Sequence, residues 1–104
     1  MKALLALTLA FVVSAHTHAD FDAGLEAFAR QDYKVAYAAF KPLAEGGDHR
    51  AQYYLGALYL EGRGVRRDYM QAHLWSNLAA MNQDAEAKAN RARAAKALSP
   101  AQII

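Results

Sequence analysis

The residues of this chain with the most distinctive chemistry lie near its start. His16 and His18 flank Thr17. A peptidase cut after Ala15 would create the amino terminus His16-Thr17-His18, and a free amine with a histidine in third position supplies nitrogens for a square-planar Cu(II) or Ni(II) ion. A cut after Ala19 removes both imidazoles. His49 and His73 stand on separate segments, and apart from Asp48 beside His49 neither has a second histidine or carboxylate at helical ligand spacing. They read as surface histidines. The chain has no cysteine, which excludes a thiolate zinc site, a thiol nucleophile and a disulfide framework.

Gly62-Arg63-Gly64 invites a phosphate-binding reading. A dinucleotide loop would need a third glycine where Arg67 stands, and a strand before the loop where a helical pattern is found. The segment therefore reads as a turn, with Arg63, Arg66 and Arg67 as solvated loop charge. After residue 19 the serines are Ser76 and Ser99, and neither has a base at triad-like spacing. The aspartates sit where helices begin. No catalytic residue, metal site or cofactor is assigned, and the chain is not read as an enzyme.

Positioning therefore matters more than reaction chemistry. Met1-Lys2 is followed by a stretch from Ala3 to Val13 that is apolar apart from Thr8, and then by small residues up to Ala19. This is the layout of a secretory signal peptide, and at about 11 residues the apolar run is too short for a span of roughly 20. Cleavage after Ala19 follows the small-x-small rule, and cleavage after Ala15 is the alternative. Without cysteine there is no lipid attachment, so a soluble periplasmic or secreted bacterial protein is expected, with no membrane insertion in the mature form. Residues 20–104 carry 11 Lys+Arg against 10 Asp+Glu, mixed in sign along the chain. Such charge suits solvated helix faces and does not suggest a nucleic-acid partner.

Helix signals recur after residue 20, and strand signals are absent. A first helix is expected over Asp22 to Arg30, with Ala23, Ala27 and Phe28 at helical spacing. Asp32 is placed as the N-cap of a second helix from Tyr33 to about Glu45, carrying Ala36, Tyr37, Phe40, Leu43 and Ala44 on one face, with Pro42 kinking or tightening its end. Gly46-Gly47 stops it. Asp48 caps a third helix from His49 to Leu60, in which Gly56 costs about 1 kcal/mol relative to alanine and so implies a close neighbour. Asp68 and Gln71 form a capping box for a fourth helix with a stripe of Ala72, Trp75, Leu78 and Ala79. Asn82 is expected to make the following turn. The fifth helix spans Asp84 to Leu98, acidic at its start and basic at its end, as the helix dipole favours. Ser99-Pro100 looks like a helix start, yet the residues after it, to Ile104, suggest a short tail.

The helices form two similar units. Gly24 matches Gly56 at an offset of 32, while Asp32-Tyr33, Ala36 and Ala44 match Asp68-Tyr69, Ala72 and Ala80 at an offset of 36. The difference lies in the glycine turn between Leu60 and Asp68. Gly24, Ala36 and Phe40 in the first unit resemble the tetratricopeptide repeat. The second unit resembles the Sel1-like repeat (SLR) through Ala51, Leu55, Gly56, Tyr59, Gly62, Gly64, Val65, Asp68, Tyr69, Ala72, Trp75, Ala79 and Ala80. With the first unit included, the resemblance covers most of residues 20–98. One departure is Asn82, where the family tends to have glycine. Cysteine-rich secreted members are poor guides to a chain without cysteine.

The resemblance implies an all-α fold, a short α-solenoid of antiparallel helix pairs with about five helices after the signal peptide. It also implies a concave face, lined by the first helix of each pair, that contacts proteins. By the tetratricopeptide pattern Phe21, Leu25 and Phe28 lie on the inner face of the first helix, with Tyr53, Ala57 and Leu60 at the same places on the third, flanked by Arg50 and Glu61. Two readings of these stripes stay open. They line a groove for an amphipathic helix or extended peptide, or they close a small core.

The expected role is an adaptor or scaffold for a protein or peptide partner. The alternatives are a structural accessory subunit of an envelope, secretion or polysaccharide-export complex, and, more remotely, metal binding at an amino-terminal His-Thr-His. Self-association through the alanine-rich fifth helix is a further expectation. The intact mass of the exported protein separates the cleavage sites. A start at Asp20 is expected, and a mass matching a start at His16 would restore the metal reading.

Overall fold

The computed structural model describes residues 20–98. Five helices follow in order among the described residues, with no strand: α1 over residues 20–29, α2 Tyr33–Glu45, α3 His49–Glu61, α4 Tyr69–Ala80 and α5 Ala85–Ala97. The candidate signal peptide with His16 and His18, and the tail from Ser99, lie outside the described residues. No described helix is long and apolar enough to cross a membrane.

Most of the joints are tight. Gly47 has φ +99°, its N–H reaches the Ala44 carbonyl at 3.1 Å, and the Asp48 N–H reaches Leu43 at 3.0 Å. These bonds satisfy the last carbonyls of α2 while Asp48 opens α3, its carboxylate accepting from the N–H groups of Arg50 and Ala51. The α1–α2 joint has the same bonds, Gln31 to Phe28 at 3.0 Å and Asp32 to Ala27 at 2.8 Å, but here a glutamine holds the left-handed conformation, φ +65°. The chain leaves that turn with Asp32 at ψ 74°, and its side chain makes no capping bond, contrary to the N-cap expected of it. At the α4–α5 joint the left-handed residue is Gln83, φ +67°, not Asn82. Asp84 then caps the Ala87 N–H at 2.9 Å.

Asp68 caps α4 by accepting from the Gln71 N–H at 3.1 Å. The reciprocal half of the expected capping box does not form. The Gln71 side chain accepts from Trp75 Nε1 at 3.1 Å, and the Asp68 N–H goes to the Tyr59 carbonyl. Trp75 is half-buried, and its neighbour Ser76, outside the expected stripe, is the sealed residue. Ala23 is exposed, so the inward face of α1 is Phe21, Gly24 and Ala27. Pro42 lies on the exposed side of an unbroken α2.

The core is built around α3. Ala51, Gln52, Leu55 and the whole run from Gly56 to Leu60 are buried, as suits a helix flanked by α2, α4 and α5. Phe40, Leu55 and Leu58 supply the bulk, with Ala27, Ala36, Ala51, Ala72 and Ala94 as fully buried spacers between backbones. Sealing Phe40 alone contributes about 1.5–3 kcal/mol. The buried Gln52 amide donates to the Ala44 carbonyl at 3.2 Å, so a polar side chain inside the core serves the end of α2.

Both units cross their helices at a glycine. A Cβ on Gly24 would sit 2.6 Å from the Phe40 ring, and one on Gly56 would sit 2.7 Å from Ser76 Oγ and 3.1 Å from the Ser76 backbone nitrogen. Phe40 and Ser76 are themselves 36 positions apart, so the sequence overlay holds at the contact itself. Gly64, φ +73°, packs on the first turn of α2, where an added Cβ would overlap the Tyr33 carbonyl. In urea denaturation Gly64→Ala is expected to cost about 3 kcal/mol or more, since both the backbone angle and a rigid carbonyl oppose it. Gly56→Ala should cost less, about 1–2 kcal/mol, because alanine's helix propensity offsets part of the overlap. The reverse ranking would disprove the assignment of the tighter contact to Gly64.

Candidate functional site

Aromatic side chains from α1, α2 and α3 converge on Tyr54. Its ring stacks on Phe40 at 5.0 Å with a 12° interplanar angle, and meets Phe28 at 5.1 Å, Tyr53 at 5.0 Å and Phe21 at 6.3 Å edge-on. Such offset and edge contacts are each worth about 0.5–1.5 kcal/mol beyond burial. Tyr54 was not among the residues singled out by sequence. Its position one past Tyr53, toward the α1–α2 side of α3, was the available signal.

The stripes expected on α1 and α3 divide between core and surface. Phe21, Ala57 and Leu60 are buried, and Phe28 is held between Tyr33 and Tyr54, so these four serve the core reading at least in part. Phe21, Leu25, Arg50 and Tyr53 nevertheless meet in one cavity of about 330 Å³, closed on its other side by Tyr54, Asp84 and Glu86. It lies between α1, α3 and the start of α5, which are the first helices of successive pairs. That volume is at the small end for ligand sites, enough for one or two side chains. Leu60 and Glu61 face a separate cavity of about 370 Å³ with Arg67, Tyr69 and Arg93. Ala57 and Phe28 line neither cavity.

Two interactions fix the walls of the first cavity. The Arg50 guanidinium lies 3.9 Å from the centre of the Phe21 ring and pairs with Asp48 at 3.1 Å. Burial works against a charged Asp48, but the Arg50 contact and the capping N–H groups outweigh it and hold the carboxyl below its ordinary value. On the opposite side the Tyr53 hydroxyl donates to Glu86 Oε2 at 2.9 Å, which ties α3 to the first turn of α5. Burial and the Glu86 contact push the Tyr53 phenol up to about 12. Asp84 and Glu86 form no ion pair among the described residues.

Two of the three loop arginines are less free than their sequence suggests. Arg63 donates to the Tyr33 hydroxyl at 2.7 Å and pairs with Glu61 at 3.4 Å, and Arg67 lies over the Tyr69 ring. His49 is exposed and His73 half-buried, with no group of three or more metal-ligating side chains among the described residues. Ser76 Oγ is buried without a hydrogen-bond partner, closed off by the Gly56 crossing.

No family model matches the chain, and none of the curated proteins does. Among solved structures the chain is similar to a protective antigen present in uropathogenic Escherichia coli strains displaying an SLR fold, at 32% sequence identity and a TM-score of 0.75. The likeness covers 84% of this chain and 20% of that one, so the chain spans about a fifth of its neighbour's length.

The phenol of Tyr53 favours the neutral form in the folded state. Its contribution to stability is complete below its ordinary value of 10.0 and is lost as the pH climbs to about 12. Glu86→Gln should keep the hydrogen bond but remove the neighbouring charge, lowering the Tyr53 midpoint. Tyrosine ring NMR across an alkaline titration reads this directly, and an unmoved midpoint would show that Glu86 does not face Tyr53 in solution.

Proposed function

The chain is a Sel1-like repeat protein with an all-α solenoid fold, and we propose that it is a non-catalytic interaction module that holds a protein or peptide segment in the groove between α1, α3 and α5. Leu25, Tyr53 and Tyr54 carry this reading. They are partly buried and line the cavity, while alanines on the other helix faces are sealed completely. A rigid aromatic wall loses little side-chain entropy on binding, which suits recognition of a passing segment. We place the repeat domain at residues 20–98, behind an export signal at 1–19 and ahead of a short tail at 99–104, in a periplasmic or secreted bacterial protein.

A second reading has its own support. Met70 and Leu74 on α4, with Met81 at its C-cap, are exposed at helical spacing, between 47% and 70% accessible. This stripe suits a structural accessory subunit stacked against a neighbour in an envelope complex.

The two readings separate in a capture experiment from the native envelope. Leu25→Ala with Tyr53→Ala should weaken partner retention by about tenfold, near 1.4 kcal/mol, with the helical signal preserved. Met70→Lys with Leu74→Lys should leave it unchanged. The opposite pattern supports the accessory reading. If the groove pair unfolds the chain, the stripe is core and the groove reading fails.

A further inference from the structure

Resting on the groove reading above, we infer that the groove recognises a cationic side chain, a lysine or arginine flanked by apolar residues in an extended segment of its partner. Charge complementarity and aromatic geometry argue for it together. Among the described residues Arg50 is the one cation lining the cavity, and it is neutralised by Asp48. The two remaining charges on the lining are carboxylates, Asp84 and Glu86, neither of them in an ion pair among the described residues. The amino terminus of α5 beside them offsets roughly half a charge, so the rim stays net negative by about 1.5 charges.

The wall beside that rim is aromatic. Tyr53 and Tyr54 line the cavity, and Tyr53's hydroxyl already holds one oxygen of Glu86 in place. The same cavity shows what its rings accept, because the Arg50 guanidinium rests 3.9 Å from the Phe21 ring centre. A ligand cation would meet a related pairing there, a tyrosine ring with a carboxylate beside it. Phe21 and Leu25 supply an apolar floor for residues flanking the cation. An acidic segment would meet a carboxylate rim without counter-ions and is rejected, while a purely apolar one would bury two carboxylates that have hydrogen-bond donors but no counter-charge.

The test uses the protein expressed from the full sequence and two acetylated, amidated pentapeptides. One has arginine between leucines, and its twin carries citrulline, which matches arginine in shape but has no charge. Amide NMR shifts report where each binds. The arginine peptide should move residues 50–54 and 84–87 and bind about tenfold more tightly than its twin, as a charge-assisted contact with a ring face implies. Glu86→Gln, which still accepts from Tyr53, and Asp84→Asn, which still caps α5, should each reduce that preference.

If both peptides bind the groove equally, the cation inference is overturned and the groove reading stands. If neither peptide moves the groove residues, the cation inference is also overturned, and the capture experiment with Leu25 and Tyr53 variants separately decides the groove reading.

Discussion

The fold depends on how closely other helices can approach α3. A helix of 13 residues can bury eight of them, from Ala51 to Leu60, only if its neighbours lie nearly backbone to backbone. Gly56 against Ser76 and the fully buried alanines of α2, α4 and α5 permit that approach. The cost is a shortage of large apolar side chains. Much of the core is alanine, which buries little area each, so the aromatic cluster about Tyr54 supplies a large share of the packing. Without cysteine, no covalent tie compensates.

The two units solve the same crossing differently. In the first, Gly24 makes room for a phenylalanine ring. In the second, Gly56 makes room for Ser76, whose hydroxyl has no partner. The ring in the first crossing extends toward the groove through Tyr54 and Phe21, so the aromatic wall is continuous with the core. The groove residues are therefore preorganised by the same contacts that hold α1, α2 and α3 together. Buried and half-exposed positions on one stripe are two ends of one cluster, which is why neither the groove reading nor the core reading describes all eight residues alone.

Helix order and spans were legible in the sequence because punctuation and periodicity agreed. Asp48 and Asp68 cap as their positions imply, and Gly56 marks a crossing. Gln31 and Gln83 were not legible as left-handed residues, since glutamine has no preference for that conformation. Their shared place just before an aspartate, like that of Gly47, was the hidden pattern. Asp84 and Glu86 were explained by the dipole of α5, and nothing local shows that they also face Tyr53 across 33 residues of chain. Trp75 attracts attention by size, yet space at the crossing selects the smaller Ser76. Long-range geometry decides each of these, and periodicity within one helix carries no trace of it.

Gly64 does more than shape a connector. Its backbone presses on the start of α2, and Arg63 beside it reaches the Tyr33 hydroxyl, so the loop of the second unit clasps the first unit across some thirty residues. In a linear array of repeats, coupling passes only through stacked helix faces, and the ends can melt while the middle persists. A clasp of this kind raises the nearest-neighbour coupling between the units. Detaching α2 from α3 then also frees the loop that leads into α4, and the two repeats behave as one cooperative folding unit.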